Sequence, residues 1–477
     1  MDWLRWVFNI KGETMFDKKI YQQRRNLLAK KVKSGLLLFL GNNESPMNYP
    51  ANTFHYRQDS TFLYFFGLNF PGLAAVIDID ENKQMIFGND LDMDDIIWMG
   101  PQPSLKNRAA KIGISETRPL GKLEDTLKNA LRMGRKIHFL PPYRPENAMQ
   151  LEKLLGIQHG AVKNYISPDF VKAVVALRSI KSKDEVVEIE RAMLTTAAMY
   201  REAMAMTRPG MYEREIAGKI EGIALAGGGH LSFPAIVTMR GETLHNHYHG
   251  NQLQKGDLLL IDSGYESESG YATDITRTIP VSGKFSPQQK AIYETVLDMQ
   301  LTAIAMIKPG ASYRAIHLKT CEILVQHFKE LGLMKGDISA AVAAGAHALF
   351  FPHGLGHMLG LDVHDMEDLG ENHVGYDDQT KRSEQFGLAY LRLAKKLQPG
   401  YVLTVEPGIY FIPALIDQWQ AGKKASAFIN YAMVEKFRKF GGIRIEDNVV
   451  VNAKGRQVLG PPIPKRIVDL EKAMAGQ

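Results

Sequence analysis

The pattern of apolar and polar positions changes character once along the chain, near residue 180. Before it, a helical stretch near 17–33 leads into SGLLLFLG, a buried-strand pattern, and LAAVIDIDENKQMIFG holds two β-rich runs around a polar turn. KIHFLPP predicts a further strand, and 123–133 and 146–156 predict helices. After it, RSIKSKDEVVEIERAMLTTAAMYREAMAM places apolar residues at helical spacing, with acids early in the helix where its dipole favours them. The patterning predicts an α/β (α+β) protein with a first domain at 15–180 and a second at 181–460. The tail at 461–477 is expected to be a short helix without a catalytic role. Met15 is a candidate start, which makes residues 1–14 a possible N-terminal extension.

The second part echoes itself. AMAMTRPGMYEREIA at 203–217 is matched one hundred residues later by AIAMIKPGASYRAIH at 303–317. Ala203, Ala205, Met206, Pro209, Gly210 and Ile216 recur identically. Each copy predicts the end of a long helix, a Pro-Gly turn and a new helix. The strands echo too: LQKGDLLLIDSG at 253–264 parallels LQPGYVLTVEPG at 397–408, which superposes Asp262 on Glu406. Pro-Gly turns and apolar strands are common, so chance is the blander explanation. A duplication makes the sharper statement that two related halves face each other, each contributing two acids.

Those acids are Asp262, Glu406 and Glu446, which end or interrupt the apolar β-type runs LLLID, YVLTVE and GGIRIE, and Asp274, which sits in the strand-like run YATDITRTI. A carboxylate in a buried strand is costly unless something pairs with it. Side chains alternate along a strand, so Arg444 shares a face with Glu446, Thr404 with Glu406, and Thr276 and Thr278 with Asp274. A solvent-exposed face would give the same alternation in any one strand. Four acids at corresponding places point instead to a shared cation. FFPHGLGHMLGLDVHD adds His353, His357 and His364 around a glycine-rich loop, and HNHYH adds His245 in a segment that also fits a solvated loop. Carboxylates and imidazole without thiolate suit Mn²⁺, Fe²⁺, Co²⁺ or Zn²⁺. Five donors exceed one closed tetrahedral site, whereas two cations roughly 3.5–4 Å apart would use them all.

Composition removes other classes. The chain has 477 residues, 45% hydrophobic and 23% charged, as an ordinary globular protein does. The net charge of +6 is dispersed, with no basic block interleaved with aromatics, so nucleic acid is not an expected partner. Cys321 is the only cysteine, which fits a reducing, cytoplasmic setting. No apolar run is long enough to span a membrane, and the N-terminus lacks the pattern of a signal peptide.

LLLIDSG, TDITRT, PHGLGH, GLDVHD, VLTVEPGIY and GGIRIEDN, in this order between about 183 and 455, resemble the pita-bread metallopeptidases, specifically aminopeptidase P and prolidase. YRQDSTFLYFFGL resembles the non-catalytic, creatinase-like domain that precedes the catalytic one in both families. The resemblance implies an exopeptidase that cleaves the Xaa-Pro bond of proline-containing peptides with a hydroxide held between two divalent metals, usually Mn²⁺. It implies Asp262, Asp274, His357, Glu406 and Glu446 as metal ligands, with Asp274 and Glu446 bridging. His364, Glu406 and His353 are the implied catalytic residues. His245, His353, His364, Arg392 and Arg444 are the expected substrate-binding residues. A homodimer or homotetramer is expected, as in the relatives.

The motifs do not separate aminopeptidase from dipeptidase. YRQDSTFLYFFGLNFPG favours aminopeptidase P. YLRLAKKLQPGYVLTVEPGIYFI favours prolidase, where an arginine at the place of Arg392 pairs with the dipeptide carboxylate; a solvated helix residue is the alternative there. Relatives of this fold also include non-enzymatic binding modules and metal-free hydrolases. Retention of all five ligand positions argues against both.

Overall fold

A computed structural model describes residues 16–475, so the expected extension at 1–14 lies outside the described residues. The chain forms two compact units. One runs to Arg178 and includes the later segment Glu367–His373; the other comprises Ser179–Met366 and Val374–Gln477.

The first unit is built on a five-stranded sheet in the order Glu116–Arg118, Lys83–Phe87, Ala74–Asp78, Leu36–Leu40, Ile137–His138. The hairpin predicted from LAAVIDIDENKQMIFG pairs Ala74 with Phe87 through to Asp78 with Lys83. Leu36, Leu38, Val76 and Phe87 pack with Leu123 and Leu127 of one helix and Leu151 and Leu154 of another. The KIHFLPP strand is shorter than its pattern. Only Ile137 and His138 pair, ahead of Pro141 and Pro142, which have no amide to donate.

In the second unit the sequence echo becomes a structural repeat. The helices Lys183–Met206 and Pro287–Met306 open with matching capping boxes, Ser182 with Glu185 and Ser286 with Gln289. Each box satisfies two helix-end donors and is worth about 1 kcal/mol. Both helices end at the Pro-Gly turn, whose glycines take positive φ, 93° at Gly210 and 81° at Gly310. Gly210 N–H donates to Leu253 O and Gly310 N–H to Leu397 O, each at 2.8 Å. Leu253 and Leu397 are themselves the matching positions of the strand echo. The turns are thus stitched in the same way to the segments that lead into two matching strands.

Those strands are Leu258–Ser263, paired antiparallel with Ile275–Pro280, and Val402–Val405, paired antiparallel with Asp447–Asn452. Buried tyrosines hold the hairpins from behind. Tyr200 donates to the carbonyl of Ile275, and Tyr313 donates to Thr404 O at 2.5 Å. The halves join at a bridge between Thr276 and Glu446.

One correction concerns the acids. Only Asp262 lies inside a strand. Asp274 precedes its strand, Glu406 follows its strand, and Glu446 sits at the break between Gly442–Arg444 and Asp447–Asn452. Their amides bond outside the regular ladders: Asp274 N–H to Asn448 Oδ1, Glu406 N–H to Leu355 O, and Glu446 N–H to Thr276 O.

The tail packs behind Glu446. The Arg277 guanidinium, 1% exposed, donates to Asp447 Oδ1, to Glu446 O and to the carbonyls of Ile463 and Pro464. Lys465 Nζ reaches Asp447 Oδ2 at 2.5 Å, and Gln300 donates to the same oxygen. Beyond it runs the helix Ile467–Ala475. Among the described residues no helix is long and apolar enough to cross a membrane.

Burial pushes the Asp447 carboxyl upward, but Arg277 and Lys465 outweigh it and hold the group down at about 2, below the usual 3.8. A depressed carboxyl contributes stability that is complete above 3.8 and lost as pH falls toward about 2. That contribution is roughly 2 kcal/mol. Asp447→Asn should therefore flatten the acid limb of the stability curve. It should also lower neutral-pH stability by about 3 kcal/mol, because Arg277 is left buried without its charge partner. Urea unfolding across pH checks both; an unchanged acid limb would show that the pair does not carry this dependence.

Candidate metal centre

The five expected donors converge. Asp262, Asp274, His357, Glu406 and Glu446 line one cavity of about 470 Å³ in the second unit. His245, His353, His364, Arg392 and Arg444 line the same cavity.

His357 and Glu406 are set side by side by a loop running along a strand. His357 N–H donates to Thr404 Oγ1, Thr404 N–H to His357 O, and Glu406 N–H to Leu355 O. This approach requires glycine at 356, since a Cβ there would lie 2.1 Å from Thr404 O. A close crossing also occurs in the first half at Gly264, where a Cβ would lie 1.7 Å from Thr273 O.

His357 Nδ1 lies 3.0 Å from Met358 O, which assigns its proton to Nδ1 and leaves the Nε2 lone pair facing inward. Nε2 is 3.4 Å from both Asp274 Oδ2 and Glu406 Oε1. Donor atoms of Asp274, His357 and Glu446 all lie within 4.8 Å of one another. Thr276 Oγ1 donates to Glu446 Oε2 at 2.7 Å, so one carboxylate oxygen is oriented by the protein and the other is left over.

The leftover oxygens point to a cation. Asp262 Oδ1, Asp274 Oδ1 and Glu446 Oε1 are buried without a hydrogen-bond partner among the described residues. Burial drives the Asp274 and Glu446 carboxyls well above the ordinary range, and the neighbouring carboxylates drive them further. Burial raises Glu406 too, against the pull of His357 and Arg444. Burial lowers His357 and keeps its imidazole neutral, the ligating form. Buried oxygens, a neutral imidazole and no sulfur fit hard-to-borderline divalent cations.

A second layer was only partly anticipated. Arg444 donates to Asp262 Oδ2 at 2.6 Å, to Tyr410 Oη at 2.8 Å and to Thr276 Oγ1 at 3.2 Å. Tyr410 in turn meets His353 Nε2 at 2.8 Å, while His353 Nδ1 bonds Gly354 O. Burial and the Arg444 charge lower His353 to about 3, so this imidazole is neutral at working pH. The His364 ring packs edge-on against His357 at 4.3 Å between centroids. Lys181 and Asp365, both buried, pair at 2.6 Å beside the His364 loop.

Tyr410 stands in the quoted motif VLTVEPGIY but carried no periodic signal. Lys181 stands in a segment whose pattern predicts only a helix start. Phe386 and Tyr390 also line the cavity, as does His247 from the HNHYH cluster. The helical alternative for Arg392 does not hold: residues 386–396 form no helix, the Ala394 and Lys395 amides donate to Gly375 O, and the Lys395 and Ala394 carbonyls accept from the Tyr313 and Arg314 amides.

Comparisons with known proteins show the family and the fold. The model of metallopeptidase family M24 matches residues 187–453, and that of the aminopeptidase P N-terminal domain matches residues 21–138. A Homo sapiens Xaa-Pro dipeptidase is 32% identical over 460 residues, covering 93% of this chain and 90% of its own. An Escherichia coli Xaa-Pro aminopeptidase is 30% identical over 465 residues, covering 95% and 97%. The solved structure of proline aminopeptidase P II from Yersinia pestis superposes with a TM-score of 0.79 at 30% identity, covering 97% of this chain and all of that one.

Thr276→Val keeps the shape of the side chain and removes the hydrogen bond that orients Glu446. Divalent-metal affinity should fall about ten- to a hundredfold. Calorimetric titration of the metal-stripped chain with Mn²⁺ measures it, and unaltered affinity would mean that Thr276 does not orient a ligand.

Proposed function

The chain belongs to metallopeptidase family M24, and we propose that it is an Xaa-Pro aminopeptidase, a metal-dependent exopeptidase that releases the residue preceding proline from peptide N-termini. The observation that carries this reading is the convergence of five oxygen and imidazole donors with His245, His353 and His364 on one cavity. Asp262, Asp274, His357, Glu406 and Glu446 are the proposed ligands of two divalent cations, with Mn²⁺ the proposed metal. Such a pair, when bound, acts as a Lewis acid on the scissile carbonyl and lowers the pKa of water at the site.

The chain's own groups do the remaining work. Glu406 lies next to His357 and is half-buried, with its carboxyl raised above the ordinary range, so it can hold a proton and pass it toward the leaving proline nitrogen. His364, packed edge-on against His357, is placed to donate toward the developing oxyanion. Burial and the Arg444 charge keep His353 neutral while contacts with Gly354 and Tyr410 orient its ring, which makes it a positioning and hydrogen-bonding group that carries no charge. The nitrogen of an Xaa-Pro bond carries no hydrogen. Recognition therefore falls on the ring, and the apolar lining of Phe233, Pro234, Ile236, Val363 and Phe386 offers it a surface.

A dipeptidase is the second reading, favoured by Arg392. Its guanidinium lines the cavity, where it can pair with the carboxylate of a substrate that ends at proline. Comparing an Xaa-Pro dipeptide, an Xaa-Pro-Xaa tripeptide and a longer peptide, with Mn²⁺ added, separates the readings. The aminopeptidase reading expects cleavage of the tripeptide and longer peptide, and Asp274→Asn should abolish it together with metal content. Cleavage of the dipeptide alone would replace it with the dipeptidase reading. No bound metal and no hydrolysis would leave a non-enzymatic binding module.

A further inference from the structure

A second cluster of ligating side chains lies outside the cavity. His317 and Cys321 stand one turn apart on the helix Tyr313–Glu330, and His347 sits in the short turn Ala346–Leu349. All three are 0% exposed. One donor atom from each falls within 4.8 Å of the other two. We propose that His317, Cys321 and His347 form a separate site for a single thiophilic transition-metal ion, Zn²⁺ in the first instance, which fastens this helix to the segment leading into Pro352 and His353.

Three observations carry the assignment. The first is unmet bonding capacity. Both ring nitrogens of His347, and Nδ1 of His317, find no hydrogen-bond partner among the described residues. Each such buried group costs about 1–3 kcal/mol if left unpaired. An imidazole with neither nitrogen engaged is a poor choice for a purely apolar core.

The second observation is spacing. Cys321 Sγ lies 3.5 Å from His317 Nε2. A tetrahedral zinc ion with ordinary Zn–S and Zn–N bonds holds its sulfur and nitrogen ligands about 3.5 Å apart. The third is chemistry. Burial lowers His347 to about 4 and His317 well below its usual value, so both rings are neutral and free to ligate. Burial also drives the Cys321 thiol upward. A bound cation reverses that by stabilising the thiolate directly.

The place of the cluster gives the ion a structural task. The His317 ring packs on Phe351 at 5.1 Å between centroids, and Phe351 packs edge-on to His353 at 4.9 Å. A brace here would steady the wall that presents His353 to the cavity. The repeat supplies no second copy, because the position matching His317 in the first half is Ala217. The site is independent of whether the cavity acts on peptides, since none of its donors lines that cavity.

Sulfur makes the test selective. Cys321 is the only cysteine of the chain, and the cavity donors are all oxygen or nitrogen. Growing the cells in cobalt-supplemented medium presents the probe ion during folding, as a fully buried site requires. The full chain should then show thiolate-to-cobalt charge-transfer absorption, together with a sulfur neighbour at about 2.3 Å by X-ray absorption. Cys321→Ser should lose both signals while keeping the cobalt of the cavity and any peptide hydrolysis. His347→Gln, an independent variant, should lose or sharply weaken them. In zinc-grown protein, the wild type should hold one more ion per chain than Cys321→Ser. A wild-type chain without a sulfur neighbour, or a zinc content unchanged by Cys321→Ser, would overturn the site and leave a buried thiol–imidazole hydrogen bond.

Discussion

Four carboxylates packed into one buried cavity repel one another, and the structure of the second unit is organised around that repulsion. Arg444 supplies one compensating charge to Asp262, and His357 offers a neutral lone pair rather than a second cation. Three carboxylate oxygens stay buried without a partner among the described residues. A bare buried carboxylate costs several kcal/mol even after relaxation. Divalent ions are the simplest agents that offset this, because each neutralises two acids and accepts several oxygens at once. Stability and chemistry then have the same origin, since the charges that repel one another in the cavity are the charges that would hold a divalent metal.

The duplication explains how ligands so distant in sequence meet. Each half builds a helix, a Pro-Gly turn and a hairpin, and the Gly210–Leu253 and Gly310–Leu397 hydrogen bonds fix each hairpin to its helices with the same geometry. Facing the halves through the Thr276–Glu446 bridge brings the acids of one beside those of the other. The asymmetries carry specialisation. His357 has no counterpart in the first half, and the Arg277–Asp447–Lys465 cluster draws the C-terminal segment in behind Glu446. The tail thereby supports the segment that carries a proposed ligand, although none of its residues lines the cavity.

The sequence made the repeat and the shared acid face legible because both depend on local periodicity. Strand parity placed Thr276 and Thr404 with the acids, and these threonines do hydrogen-bond Glu446 and the His357 amide. Interactions between elements close only in three dimensions left no such trace. Arg444 meets Asp262 across 182 positions and Lys181 meets Asp365 across 184, and no spacing rule connects them. The runs YVLTVE and GGIRIE, which Glu406 and Glu446 end or interrupt, already pointed to strand ends, whereas the place of Asp274 just ahead of its strand was hidden. Periodicity reports which face a side chain takes, and it is silent on whether the amide beside it joins the ladder. The segment Glu367–His373 groups with the first unit although its sequence lies far inside the second.

The central claim is that the five donors hold two cations in one cavity. Anomalous X-ray scattering at the manganese absorption edge, from crystals of the full chain grown with Mn²⁺, tests it without reference to activity. Two anomalous peaks should appear between Asp262, Asp274, His357, Glu406 and Glu446, with Asp274 and Glu446 touching both. No peak there, or a single peak with the Asp262 side of the cavity bare, would contradict the account.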